Sequence, residues 1–204
     1  MATPEFPKRD PAEPGFWDLR YEANFAPWDA GKVPARLREF VDASPSPLRT
    51  LVPGCGSAWD VRYFAERGWN VTGLDFSAEA VTAARSVLGP HGDRVRQGDV
   101  FAPIAGEPFD LVYERAFLCA LPRRLWTDWS RRMASLVAPG ALLAGFFFLD
   151  EGERGPPFPL HSQAELDGLL TASFERIEDL DVRDSIPVFE GKERWQRWRR
   201  RQGT

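Results

Sequence analysis

Three groups of residues in this sequence could do chemistry together. The first is the turn Gly54-Cys55-Gly56, which follows the apolar run Leu51-Val52-Pro53 and leads into a helix-like segment. Glycine leaves no Cβ in the way and tolerates left-handed backbone angles. Backbone N–H groups can then face a ligand at the positive end of the next helix. The second is Asp75, 21 positions after Gly54 and at the end of the apolar run Trp69 to Leu74. A carboxylate about 20 positions beyond such glycines is placed to accept hydrogen bonds from a ribose diol. The third is Asp99 with Val100, just after the short stretch Arg94 to Gln97. An acid and a backbone amide there could reach an adenine. Three positions after Gly56 stands Trp59, where dinucleotide sites prefer Gly or Ala. The pattern therefore points away from NAD or FAD and towards a single nucleoside such as S-adenosylmethionine.

These residues need a scaffold to hold them, and the hydrophobic pattern supplies one. Strands are expected at Arg49–Pro53, Trp69–Leu74, Arg94–Gln97, Phe109–Tyr113, Ala141–Leu149 and Phe174–Val182. Helices are expected at Pro34–Val41, Asp60–Arg67, Ser77–Leu88, Arg124–Val137 and Gln163–Leu170, with Ser77 as an N-cap and Pro139-Gly140 closing the fourth. The tail, Lys192 to Arg201, fits two templates. Trp195 and Trp198 suit a helix, while Glu193, Trp195 and Arg197 alternate as on a strand; its arginines suit a charged, solvated edge. Repeated β-α units make an α/β fold with a mostly parallel, Rossmann-like sheet covered by helices on both faces. Ligands of such sheets lie beyond the carboxyl ends of the strands. Gly54, Asp75 and Asp99 fall after strands one, two and three in turn.

Composition bounds the remaining choices. A chain of 204 residues with 43% hydrophobic and 27% charged content suits one full domain. We read residues 1–13, with Pro4, Pro7 and Pro11, as a flexible lead-in and residues 14–204 as the domain, of which 14–45 form a lid and helix over the ligand. A net charge of −4 argues against a nucleic-acid groove. Two cysteines are too few for a disulfide framework. No segment reads as a membrane span or secretory signal, so a cytoplasmic monomer with a small-molecule partner is the expectation. His91 and His161 fall in loops, no Cys/His cluster has zinc spacing, and no residue stands out as a catalytic base. Cys55 and Cys119 read as small packed side chains. Trp17 and Tyr21, four apart, share a helical face, with Trp28 close behind.

The sequence resembles the thiopurine methyltransferase-like family of S-adenosylmethionine-dependent methyltransferases, which includes bacterial thiopurine and selenium enzymes and plant thiol and halide enzymes. The resemblance is carried by Phe16-Trp17…Arg20-Tyr21, Pro27-Trp28-Asp29…Gly31 and Leu51 to Gly56. It continues through Gly73-Leu74-Asp75-Phe76-Ser77, Gly98-Asp99-Val100-Phe101, Phe109 to Ala120, Gly155-Pro156-Pro157-Phe158 and Asp184-Ser185-Ile186-Pro187. It implies a class I fold with a seven-stranded sheet and an antiparallel last strand, which turns the tail into a strand. By the same resemblance Trp17, Tyr21 and Trp28 fold over the cofactor, Gly54 forms its turn, Asp75 takes the ribose, Asp99 and Val100 the adenine, and Arg115 flanks the sulfonium end. Trp28, Arg115, Phe117 and Phe158 are the candidates to line the acceptor. Many relatives have Asp where this chain has Glu114. Arg115 could instead pair with Glu114 or another acid, and Phe117 could be core.

The implied reaction is in-line methyl transfer from S-adenosylmethionine to a small soft nucleophile, leaving S-adenosylhomocysteine. A thiol (thiopurine, sulfide or alkyl thiol) heads the expectation, with a halide or a selenium or tellurium compound as the alternative. Such nucleophiles need no dedicated base. Competing readings are a non-catalytic S-adenosylmethionine-binding module, a nicotinamide-dependent reductase, and methylation of amines in nucleic acids. The last would carry Asn/Asp-Pro-Pro-aromatic where this chain has Glu114-Arg115-Ala116-Phe117.

Overall fold

A computed structural model describes residues 4–153 and 155–202. The chain opens with helices Pro14–Glu22 (α1) and Ala35–Ala43 (α2), then alternates: Arg49–Pro53 (β1), Trp59–Glu66 (α3), Asn70–Asp75 (β2), Ala78–Leu88 (α4) and Val95–Gln97 (β3). After β3 come Phe109–Arg115 (β4), Trp126–Leu136 (α5), Val137–Phe148 (β5), Gln163–Leu170 (α6), Phe174–Asp181 (β6) and Glu193–Arg200 (β7). The strands form one seven-stranded sheet in the order β3-β2-β1-β4-β5-β7-β6. Strands β1 to β5 run parallel, and β7 pairs antiparallel with β5 and with β6. The ambiguous tail is thus a strand, but an interior one between β5 and β6 and not the solvated edge its arginines suggested. Trp195 and Trp198, three positions apart, point to opposite faces of the strand, and each is fully buried in a different apolar layer.

The sheet is covered on both faces. One apolar layer gathers Trp126, Trp129 and Met133 of α5 with Leu166 and Leu170 of α6. The other gathers Leu37 of α2, Val61 and Phe64 of α3, and Val81 and Ala84 of α4. The chain runs outward from β1 through β2 to β3, then returns to place β4 on the other side of β1. That reversal opens a crevice at the carboxyl ends of β1 and β4, the usual ligand position in open α/β sheets.

Two local expectations need correction. The helix expected at Arg124–Val137 stops at Leu136, and Pro139-Gly140 do not terminate it but lie inside β5. The β4–β5 register slips there, between Phe109↔Val137 and Leu111↔Leu142. Proline cannot donate to the ladder and is accommodated at such bulges, with Gly140 at φ +81°. Pro34 caps α2 rather than entering its first turn. Ser77 caps α4 as expected, its Oγ accepting the Ala80 amide at 3.0 Å.

Candidate functional site

The crevice is a single cavity of about 730 Å³, in the upper part of the ~300–1,000 Å³ range of small-molecule sites. Its floor is the β1–α3 turn. Gly54 and Gly56 have φ of +58° and +51°, so both use the left-handed freedom that the sequence suggested. Neither has room for a side chain. A Cβ on Gly54 would lie 2.4 Å from Cδ2 of Phe117, and one on Gly56 would lie 2.7 Å from the Tyr21 hydroxyl. Ala58, also left-handed at φ +62°, caps α3 and lets that helix start beneath the turn.

Asp75 sits at the tip of β2, 8% exposed. Its Oδ2 accepts the Gly56 amide and its Oδ1 the Ser77 amide, each at 3.0 Å. Burial pushes its carboxyl up to about 6, against the pull of the Ser77 and Gly56 amides. Each oxygen keeps a lone pair that can accept from a ligand hydroxyl. At the tip of β3, Asp99 is exposed and its Oδ1 accepts the Phe101 amide at 2.9 Å, while Val100 is buried. The Val100 carbonyl takes Nε of Arg132 at 2.6 Å.

The N-terminal segment closes over this floor. In α1, Trp17 and Tyr21 share one face and both meet Trp28 edge-on, with centroids 5.4 and 6.1 Å apart. Asp18 anchors the helix: its Oδ1 accepts the Ser77 hydroxyl at 2.6 Å, at the start of α4. Burial raises the Tyr21 hydroxyl above its ordinary value, and the nearby Asp75 charge adds to this. The lead-in also makes contacts. Trp17 Nε1 donates to the Pro11 carbonyl at 2.8 Å, Asp10 pairs with Arg124, and Pro11 and Ala12 line the cavity.

Beyond the tip of β4 the cavity becomes apolar, lined by Phe117, Cys119, Leu121, Leu125, Pro156 and Pro157. Arg115 lies at the boundary. Its Nη1 donates to both oxygens of Asp60, at 3.1 and 3.0 Å. Glu114 is not the partner; its carboxyl turns inward to the amides of its own loop. Burial pushes the Asp60 carboxyl up and Arg115 draws it back. Burial likewise opposes the Arg115 charge but is outweighed by Asp60, so the guanidinium is held protonated.

The structure therefore brings Trp17, Tyr21, Trp28, Gly54, Asp75, Asp99, Val100, Arg115 and Phe117 to one cavity. Phe158 is the exception. Its amide donates to the Cys119 carbonyl at 2.6 Å and its half-buried ring packs against the core, so Gly155, Pro156 and Pro157 form the wall in its place. The sequence reading missed Asp60, Val188 and Phe189, which also line the cavity. Asp60 carries a local signal, an acid in the first turn of α3. Val188 and Phe189, in the loop before β7, carry none.

The thiopurine S-methyltransferase family model matches residues 12–201 of this chain. "Probable thiol methyltransferase 2" of Arabidopsis thaliana is 33% identical over 193 residues, covering 91% of this chain and 85% of the relative. "Thiocyanate methyltransferase 1" of the same plant is 31% identical over 194 residues, covering 92% and 86%. Among solved structures, the 1,6-didemethyltoxoflavin-N1-methyltransferase of Burkholderia thailandensis, crystallised with 1,6-didemethyltoxoflavin and S-adenosylhomocysteine, superposes with a TM-score of 0.70. It covers 98% of this chain and 95% of its own at 20% identity, a likeness of fold.

Proposed function

Because the chain belongs to the thiopurine S-methyltransferase family, we propose that it transfers the methyl group of S-adenosylmethionine to the sulfur of a small apolar thiol. The cradle fits that cofactor. Two glycine positions admit no Cβ, a buried carboxylate stands at the ribose position of β2, and an acid and a buried valine stand at the adenine position of β3. In this reading Gly54, Asp75, Asp99 and Val100 hold the nucleoside, while Trp17, Tyr21 and Trp28 close over the cationic end with their π faces. When bound, S-adenosylmethionine supplies an electrophilic methyl for in-line attack by the acceptor sulfur.

The chain's own residues then do two things. They position the acceptor, and they exclude water from it. Phe117, Leu121, Leu125 and Pro157 offer an apolar wall to the acceptor's body. Neither histidine lines the cavity, Asp60 is tied to Arg115, and Glu114 faces its own loop. Among the described residues no side chain is poised as a base, so the acceptor arrives as a thiolate or loses its proton to water, and a thiolate needs no further activation. Arg115 cannot act as a free anion-binding cation while Asp60 neutralises it. That single observation, an apolar acceptor end whose guanidinium is already paired, favours an organic thiol over an inorganic anion.

The test is methyl transfer from labelled S-adenosylmethionine to benzenethiol, an alkanethiol, sulfide, selenite, iodide and thiocyanate, alongside calorimetry with S-adenosylhomocysteine. The expected result is product from the organic thiols with a higher kcat/KM than from any inorganic acceptor. Product from iodide, thiocyanate or selenite alone would move the acceptor to that class. Tight cofactor binding with no product from any acceptor would make the chain a binding module.

A further inference from the structure

The loop after β4 holds a buried carboxyl to which the reading above gives no task. Glu114 is 1% exposed. Its Oε1 accepts the amides of Phe117 at 2.8 Å and Leu118 at 3.0 Å, three and four residues along its own chain. Its Oε2 makes no well-formed hydrogen bond among the described residues, although the Trp129 indole N–H is near enough to draw the carboxyl down. No cation pairs with it among those residues either, and burial pushes the group up to about 7, against the pull of the Leu118 and Phe117 amides. A buried acid without a cation is a poor stabiliser, so its value lies in the shape it imposes.

That shape is specific. The carboxyl folds the chain back on itself across Ala116, which takes φ +58°, a left-handed conformation that Cβ disfavours in any residue but glycine. The same turn aims Phe117 at the glycine floor, where its ring fills the space above Gly54. The near end of the turn cannot yield. A Cβ on Gly145 of β5, the residue paired with Glu114, would lie 1.8 Å from the Glu114 carbonyl oxygen. Backbone against β5 and carboxyl against two amides together leave Ala116 and Phe117 one arrangement.

We propose that Glu114 is a positioning residue for methyl transfer: its carboxyl holds the Ala116 turn and so fixes Phe117 between the cofactor's glycine floor and the acceptor end of the cavity. It touches neither ligand and acts through Phe117. The proposal rests on the thiol-transfer reading, so its test needs one arm that does not depend on turnover.

The experiment compares Glu114→Ala, Glu114→Gln, Ala116→Gly and the double variant Glu114→Ala/Ala116→Gly. Thiol kinetics are measured at saturating cofactor, with calorimetric affinity for S-adenosylhomocysteine and thermal midpoints. Glu114→Ala leaves Ala116 strained without compensation, and kcat/KM for the thiol falls by about 5–30-fold, the equivalent of one unsupported left-handed alanine. Acceptor KM carries most of that change, and S-adenosylhomocysteine affinity stays within about twofold, since every Asp75 and Gly56 contact survives. Glu114→Gln keeps a carbonyl acceptor for both amides and stays within about threefold of the parent. Glycine at 116 takes φ +58° freely, so the double variant regains most of the lost rate, and Glu114→Ala lowers the thermal midpoint less in the Ala116→Gly background.

Three results overturn the proposal: no recovery from Ala116→Gly, a Glu114→Gln as impaired as Glu114→Ala, or cofactor affinity falling in step with thiol kinetics. If Glu114→Ala does not fold, recovery of folding in the double variant supports the proposal and its absence overturns it. If no variant, the parent included, methylates a thiol, the functional reading fails, while the cycle of thermal midpoints still decides whether Glu114 acts through Ala116.

Discussion

Replacing Asp60 by Asn removes one charge from a pair that is largely withdrawn from water. The side chains of Asp60 and Arg115 are 10% and 23% exposed. Breaking a buried pair by removing one partner costs about 3–5 kcal/mol, because the remaining charge is stranded. Two features of the site pull the figure to the lower end. Burial already pushes the Asp60 carboxyl up, so a neutral amide is easier to bury than the carboxylate was, and Arg115 keeps partial access to solvent through the cavity. The expected loss is about 3 kcal/mol, which for a domain of this size lowers Tm by roughly 6–12 °C. An internal control is Glu39→Gln, which breaks the Arg36–Glu39 pair, where the glutamate is 61% exposed; an exposed pair contributes at most about 1 kcal/mol. The second part of the prediction is chemical. With Asp60 neutral, Arg115 keeps only the weaker pull of Glu193 and becomes a cation facing the cavity, and iodide or thiocyanate should raise the Tm of Asp60→Asn but not of the parent. Scanning calorimetry in a concentration series of each anion reads both effects. A midpoint within about 2 °C of the parent, or equal stabilisation of both proteins by anions, would refute the argument that Arg115 is neutralised.

Asp75→Ala removes the acceptor of the Gly56 amide and the proposed ribose partner together, and should weaken S-adenosylhomocysteine binding by at least about tenfold, roughly 1.4 kcal/mol; unchanged affinity by calorimetry would put the nucleoside elsewhere. Gly54→Ala must hold an alanine at φ +58° against Phe117, a strain of about 1–2 kcal/mol before any repacking, and should lower both Tm and cofactor affinity; an affinity equal to the parent's would show that the floor has slack. The pH dependence of stability follows from Asp75 and Glu114, whose carboxyls are raised to about 6 and about 7. A raised acid is protonated more readily folded than unfolded, so its favourable contribution is complete below about pH 4 and is lost as pH rises through 6 to 7. Urea midpoints should therefore correspond to a protein about 3 kcal/mol more stable at pH 5.5 than at pH 8, with Glu114→Gln flattening the slope. Asp10 and Asp150, lowered by Arg124 and Lys192, lose their contribution only in stronger acid and stay outside this window. A midpoint that climbs between pH 5.5 and 8 would contradict the assignment.

What the sequence made legible was whatever depends on local period. Gly54, Asp75 and Asp99 each end an apolar run, and in a parallel sheet the ends of consecutive strands share one edge, so three short patterns converge on one end of the cavity. Residues Trp17, Tyr21 and Trp28 were legible by the same logic, as one helical face plus a short connection. The acceptor end was harder because its contacts are non-local. Arg115 was expected to meet Glu114 or some other acid; its partner is Asp60, 55 residues away, and the two meet only because β4 returns to the side of β1. Phe158 was expected at the wall, but a loop with no period gives no register, and with its amide bonded to the Cys119 carbonyl its ring packs against the core. The same absence of pattern hid Val188 and Phe189.

That division has a consequence for how the two halves of the cavity can change. The half proposed to hold the nucleoside is built from strand tips held by sheet register, where a one-residue shift would invert every side chain of a strand. It cannot vary much without unfolding the core. The acceptor half is built from the loop after β4, the Gly155–Pro157 segment and the loop before β7, none of which carries the sheet. Loops of this kind accept substitution far more readily than strands. Arg115 and Glu114 sit on the border: both are fixed by β4, yet their side chains reach in opposite directions, one to α3 beneath the cofactor floor and one into the acceptor loop. Changing the acceptor while keeping the cofactor therefore requires changes beyond residue 115, and Ala116 and Phe117 are the first positions where they can occur without disturbing the register of β4.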